Sequence, residues 1–178
     1  MGKRKAEETN PVVIAIQMEK DGIAFYTKAS RKTKNPFGKQ MFLSLVEDEK
    51  NHLKLLDEIL AGQKPVKPKR PAGPGFRTRA SSIFREVTGN VKKKLDSNPS
   101  DVEAVKIAMD MEDRGFKHYD LHAKTAADPA RKALFARLAR EESDHWTILE
   151  DTHLYLTDPT TWHYRQNPPL LDGGGSAS

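Results

Sequence analysis

One pattern of metal-ligand-type residues occurs twice in this chain. Glu19 is followed thirty positions later by Glu49, with His52 three residues beyond, and Glu112 is followed thirty positions later by Glu142, with His145 three residues beyond. Residues three apart lie on one face of an α-helix, so the carboxylate and imidazole of each Glu-x-x-His pair reach the same point in space. Glu followed by Glu-x-x-His, used twice, is the set of side chains from which a four-helix bundle builds a carboxylate-bridged pair of iron or manganese ions. The glutamates would bring four negative charges to two divalent cations, a neutral pair.

The repeat extends past these six residues. Adding ninety-three to each position also maps Met18 onto Met111, Gly22 onto Gly115, Tyr26 onto Tyr119, Pro36 onto Pro129, Lys39 onto Lys132, Phe42 onto Phe135, Leu45 onto Leu138 and Leu56 onto Leu149, with no insertion. Self-similarity of this length marks one supersecondary unit used twice, here a helical hairpin.

The first helix is predicted to start at Asn10-Pro11, an N-cap followed by a proline suited to the first helical position, and to run to about Lys32. Its apolar positions Val12, Ile16, Ile23 and Tyr26 form one stripe, and Glu19 interrupts it. A carboxylate on that stripe is costly to bury unless a cation compensates it. The turn Asn35-Pro36-Phe37-Gly38 leads to a second helix from about Lys39 to Ala61, with Phe42, Leu45, Val46, Glu49, His52, Leu53, Leu56 and Leu60 on one face and Gly62 and Pro65 marking its end. The second hairpin repeats this with a helix from Pro99 or Ser100 to Thr125, a turn at Ala127-Asp128-Pro129 and a helix from about Ala130 to Leu156. Short turns make each pair antiparallel neighbours.

The predicted fold is therefore all-α, a four-helix bundle of two repeated hairpins, residues 10–62 and 99–157, joined by the long crossover 63–98 that a ferritin-like bundle requires. Helical spacing through Ile83, Phe84, Val87 and Val91 predicts a short helix within the crossover, over Ser81 to Leu95. Residues 1–9 read as a flexible N-terminus, and residues 158–178 as an extended tail that packs Trp162 and Tyr164 on the bundle.

Composition narrows the chemistry. The chain has no cysteine, which excludes disulfides, zinc ribbons and a thiolate-held iron centre within it. The net charge of +5 sits largely beside the stretch GQKPVKPKRPAGPG, where Lys64, Lys67, Lys69, Arg70, Arg77 and Arg79 read as a solvated linker more readily than as a nucleic-acid face. The first ten residues lack an apolar stretch and no run is long enough to span a membrane, so the expectation is a cytoplasmic protein.

Several neighbours of the repeated glutamates carry two readings. Asp48 and Glu141 directly precede the helix-two and helix-four glutamates and are placed to accept the second imidazole proton of the histidine in the opposite hairpin, or else are solvated acids. Tyr26 and Tyr119 lie two turns after Glu19 and Glu112, as hydrogen-bond donors toward the site or as core tyrosines with some other partner. His118, His122, His153 and His163 break the repeat and read as surface residues, and Met18 and Met111 as core packing.

The segments MEKDGIAFY, FLSLVEDEKNH, MEDRGFKHY and FARLAREESDHW resemble the helix signatures of the rubrerythrin branch of the ferritin-like superfamily, and the resemblance covers residues 12–156. The tail DPTTWHYRQNPPLLDGG is similar to tails of members without a rubredoxin domain. The resemblance implies a non-haem di-iron centre with Glu19, Glu49, His52, Glu112, Glu142 and His145 at its ligand positions, chemistry with hydrogen peroxide or dioxygen, and a homodimer. Two departures stand out. The four-cysteine rubredoxin domain of full-length rubrerythrins has no counterpart here, so electrons must come from an external donor, a rubredoxin-like protein or a reductase. The extra glutamate that such proteins usually carry one turn after the third-helix ligand is Gly115, which implies a more symmetric site.

The reading that follows is a di-iron oxidoreductase, a peroxidase or oxidase that reduces peroxide or dioxygen. Ferroxidase activity for iron storage in a multi-subunit shell is the alternative, and a structural metal with a partner bound through linker or tail is a third reading. Manganese remains open, because carboxylate and imidazole do not by type select iron over it.

Overall fold

The computed structural model describes residues 10–62 and 99–166, and within them the chain is helical, with short caps and turns. Four long helices form two hairpins: α1 (Pro11–Lys32) with α2 (Pro36–Leu60), and α3 (Pro99–Thr125) with α4 (Pro129–Thr157). A short helix, α5 (Pro159–Gln166), follows. Packing is densest within each hairpin, and the hairpins meet through α1 against α3 and α2 against α4. This is the ferritin-like four-helix bundle that the repeat predicts. The flexible N-terminus, the crossover helix over 81–95 and the basic linker lie outside the described residues.

Helices α1, α2 and α4 each open with a capping Asx-Pro pair. Asn10 accepts from the Val12 N–H at 3.0 Å, Asn35 from the Phe37 N–H at 2.9 Å, and Asp128 from the Arg131 N–H at 3.2 Å, with proline at the first helical position each time. The cap satisfies donors that the first turn leaves open, and the proline ring fixes φ for the helix. For this reason α2 begins at Pro36 and α4 at Pro129, three residues and one residue earlier than periodicity alone indicates, and the Asn35 to Gly38 segment is a helix start as well as a turn.

The same device corrects the tail. Residues 159–166, expected to be extended, form α5, capped by Asp158, whose carboxylate accepts from the Thr161 N–H at 3.0 Å. Trp162 is buried against Tyr155, ring centroids 4.9 Å apart, whereas Tyr164 is exposed. The periodic signal was too thin to show this helix, because Trp162 is its one buried residue.

The core consists of two apolar clusters with a polar layer between them. One is built around Tyr26, Phe42, Leu45, Val105, Ala108 and Leu149, the other around Tyr119, Phe135, Leu138, Val12, Ala15 and Leu56. Each residue in the first set corresponds to one in the second at an offset of ninety-three. The repeat therefore folds with approximate two-fold symmetry, and the axis passes through the polar layer.

Candidate metal centre

Glu19, Glu49, His52, Glu112, Glu142 and His145 form that layer, and all six are buried. Each projects from the middle of a long helix on the same stripe as the apolar core residues. The structure gathers them into two overlapping groups, Glu19, Glu49, His52 and Glu142 in one, and Glu49, Glu112, Glu142 and His145 in the other, with candidate ligand atoms in each group within 4.8 Å of one another. Glu49 and Glu142 belong to both. His52 Nδ1 lies 3.0 Å from Glu49 and 3.2 Å from Glu142, and His145 Nδ1 lies 3.3 Å from Glu112 and 3.4 Å from Glu49. The imidazole planes are within 20° of parallel, with centroids 5.6 Å apart.

Hydrogen bonds tie the hairpins together across the layer. Tyr26 Oη donates to Glu112 Oε1 and Tyr119 Oη donates to Glu19 Oε1, so each hairpin's tyrosine orients the other hairpin's first glutamate. Each tyrosine also stacks on a phenylalanine of its own hairpin, Tyr26 on Phe42 and Tyr119 on Phe135. Glu141 reaches across to His52 Nε2 at 2.8 Å, and Asp48 stands 3.8 Å from His145 Nε2. On both histidines Nδ1 faces the cluster and Nε2 faces a carboxylate of the opposite hairpin.

The donor set fits a metal pair. Carboxylates and imidazoles suit iron, manganese and similar divalent ions. No lysine or arginine is among the buried residues described, so no fixed cation compensates the four buried glutamates. Glu142 Oε1 is buried, with His52 Nδ1 3.2 Å away. Without a cation, protons must limit the charge. Burial, reinforced by the charge of Glu49, pushes Glu19 well above the usual carboxylate range, and burial with the charge of Glu142 does the same to Glu112. Burial acts in the same sense on Glu49 and Glu142, but hydrogen bonds from the neighbouring glutamates and histidines outweigh it and hold both below the usual range. Burial alone would lower the two histidines. The carboxylates around them, Glu19 and Glu49 for His52 and Glu112 for His145, raise both instead. Tyr26 and Tyr119 are raised first by burial and then by the adjacent carboxylates, so their hydroxyls stay protonated as donors.

A pocket of about 150 Å³ opens onto the cluster from the α1/α3 side. Its lining includes the two tyrosines, Gly22, Gly115, Met18 and Met111. The methionines, expected as core packing, are half-buried and line this pocket instead, outside both apolar clusters. Gly115 is the tighter of the glycines: a Cβ there would stand 3.3 Å from the Glu142 carboxyl carbon, whereas at Gly22 the nearest atom would be Tyr26 Cε2 at 3.6 Å.

Of the other histidines, His118 is half-buried with Nε2 3.0 Å from the Pro11 carbonyl oxygen, His122 and His153 are half-buried, His163 is exposed, and none joins a metal-holding group among the described residues. Sequence reasoning missed Arg137, whose Nε donates to Glu141 Oε1 at 2.7 Å. An Arg four residues before a Glu is a common surface pair on a helix, and nothing in the sequence distinguishes this one. The glutamates and histidines of the cluster thus repeat between the hairpins, whereas Arg137 has no arginine counterpart at the corresponding position, Ser44.

No curated protein and no solved structure matched the chain. A model of the rubrerythrin family matches residues 11–152, from the first residue of α1 into the last turns of α4. That span includes all six clustered glutamates and histidines, and the chain belongs to the rubrerythrin family.

Proposed function

We propose that this protein is a non-haem di-iron oxidoreductase that reduces hydrogen peroxide or dioxygen with electrons from an external donor. The observation that carries the reading is the sharing of Glu49 and Glu142 between two groups of ligand atoms, which suits two ions held side by side. Glu19, Glu49, Glu142 and His52 would hold one ion, and Glu49, Glu112, Glu142 and His145 the other. Bound there in the ferrous state, the pair would supply two electrons to an O–O bond.

The chain's own residues set the conditions for that chemistry. Tyr26 and Tyr119 lock Glu112 and Glu19 in place through buried hydrogen bonds, and their raised pKa values keep those protons on the phenol oxygens. Their role here is orientation of the terminal carboxylates. Glu141 holds the Nε2–H of His52 and so leaves Nδ1 free of its proton to face the ion. Apolar clusters pack on either side of the cluster of glutamates and histidines, and the pocket reaches it where Gly22 and Gly115 carry no side chain. Peroxide reduction consumes two electrons and two protons for every two waters formed. With no cysteine in the chain, the electrons come from a separate protein or reductase.

Metal analysis and an optical spectrum test this directly, on protein purified without chelators, reduced anaerobically and given stoichiometric peroxide. The expected result is about two irons per chain and rapid growth of near-ultraviolet absorption as the ferrous ions are oxidised. Iron that reacts no faster than free ferrous ion would overturn the oxidoreductase reading, and bound manganese without iron would overturn the choice of metal.

A further inference from the structure

The side of the bundle onto which the pocket opens carries a second pattern, separate from the buried cluster. On α1, Ile14, Met18, Asp21 and Phe25 recur at intervals of four, three and four, and on α3, Ile107, Met111, Arg114 and Leu121 recur at four, three and seven. That spacing lays one stripe along each helix, in the pattern by which helices of separate units pack on one another. Ile14, Ile107 and Leu121 are 39%, 40% and 54% exposed, and Met18 and Met111 are half-buried at the pocket. The middle of each stripe is charged. Asp21 and Arg114 correspond at the offset of ninety-three, both are exposed, and both line the pocket. Asp21 accepts from Gln17 Nε2 at 2.8 Å, and neither Asp21 nor Arg114 forms an ion pair with a described residue.

We infer that a second copy of this chain docks on this face, across a two-fold axis that runs along the groove between α1 and α3. The bonds from Tyr26 to Glu112 and from Tyr119 to Glu19 show the two helices running antiparallel, side by side. A copy turned about that axis lays its α3 on the first copy's α1, and its α1 on the first copy's α3. Asp21 of each copy then faces Arg114 of the other, so one contact is made twice, as an isologous interface requires. One acid and one base at the corresponding positions make the face complementary to itself, whereas two acids or two bases there would repel a second copy. Ile14, Ile107 and Leu121 lie on the same stripes, and the contact removes them from water. The pocket is incomplete without the partner, whose face closes its open side, and in the pair the two pockets open toward each other. The inference stands apart from the chemistry of the centre, because it uses none of the clustered glutamates and histidines.

Sedimentation equilibrium of the full chain tests this, on metal-free protein and again with saturating cobalt(II), an ion that carboxylates and imidazoles bind. A dimer is expected in both conditions. Asp21→Arg sets arginine against arginine twice, and Arg114→Asp sets aspartate against aspartate twice, so each should raise the dissociation constant about 10-fold or more. Mixed in equal amounts, the two variants should pair as a heterodimer, because every Asp21–Arg114 contact across it is again between opposite charges. Misfolding could not produce that recovery. A monomeric wild-type chain would overturn the inference. So would a dimer indifferent to both charge reversals, which would place the contact on another face, and so would loss in both variants with no recovery on mixing. None of these outcomes touches the di-metal reading, which metal analysis decides separately.

Discussion

Glu49 and His52 of the first hairpin have counterparts in Glu142 and His145 of the second, and Tyr26 in Tyr119, so the atoms that face the centre repeat closely. The atoms behind them do not. Behind His52 stands Glu141, itself held by Arg137, and behind His145 stands the shorter carboxylate of Asp48. Gly115 lies hard against Glu142, while Gly22 has room. The first hairpin stops early, α2 ending at Leu60 with Gly62 at φ +72° in the left-handed region that favours glycine. The second runs on through Thr157 into α5. The comparison teaches that four carboxylates and two imidazoles can be supplied by two copies of one hairpin. The side chains around them are left free to differ by the repeat.

The shared glutamates provide the largest test. Glu49→Ala and Glu142→Ala each remove a ligand from both groups, so each should abolish the magnetically or optically coupled pair and leave at most one ion per chain by metal analysis. Equal damage from the two is expected despite their different hairpins. If one variant retained the pair, that glutamate would serve a single ion and the overlap of the groups would not be functional.

Next in size is a difference at the ends of the bundle. Trp162 and Tyr155 belong to the cluster around Tyr26, whereas α2 ends before Gly62, the counterpart of Tyr155. Trp162→Ala should cost about 3 kcal/mol in chemical denaturation of the metal-free protein, the usual price of truncating a buried aromatic. Because α5 packs on α4 at the far end of one apolar cluster, cobalt affinity should not change. A loss of affinity would mean that the end cap and the centre are coupled through α4.

Tyr26→Phe and Tyr119→Phe probe the part of the comparison that should be equal. Each deletes one buried hydrogen bond to a glutamate, with an expected cost of about 1.5–3 kcal/mol where the acceptor is charged. Each should also loosen the ion held by the opposite hairpin's glutamate, Glu112 in the first case and Glu19 in the second. A phenylalanine variant that loosened its own hairpin's ion instead would break the cross-hairpin assignment.

How much of this was legible in the sequence follows from the range of each interaction. The buried cluster of glutamates and histidines and the bundle could be read because Glu19 and Glu112 sit on apolar stripes, and because an offset of ninety-three residues brings the two halves into register without a gap. The roles of Tyr26, Tyr119 and Glu141 as donors and acceptor toward the site were open alternatives that helical spacing framed and the packing of α1 on α3 and α2 on α4 resolved. α5 was hidden because a helix with one buried residue has no periodicity, although Asp158-Pro159 is the same opening used by the other helices. The grip of Arg137 and the crowding at Gly115 depend on where one side chain ends relative to another element, which spacing along a single helix does not specify.

The glycine pair gives the smallest effect and the finest test. In a helix interior, alanine is favoured over glycine by about 1 kcal/mol, so either substitution gains propensity. At Gly22 the new methyl would meet Tyr26 and Glu49 at 3.6 and 3.7 Å, ordinary contact, and Gly22→Ala should raise the melting temperature of the metal-free protein and leave cobalt binding intact. At Gly115 the methyl would meet the Glu142 carboxyl carbon and Oε2 at 3.3 Å, so that carboxylate must shift. Overpacking of that kind costs about 1 kcal/mol or more and cancels the gain in propensity. Gly115→Ala should therefore show no rise in melting temperature, and it should weaken the binding of both ions, read with cobalt(II), because Glu142 is in both groups. Identical behaviour of the two alanines would show that Glu142 moves aside freely, and the tightness at Gly115 would then have no part in setting the centre.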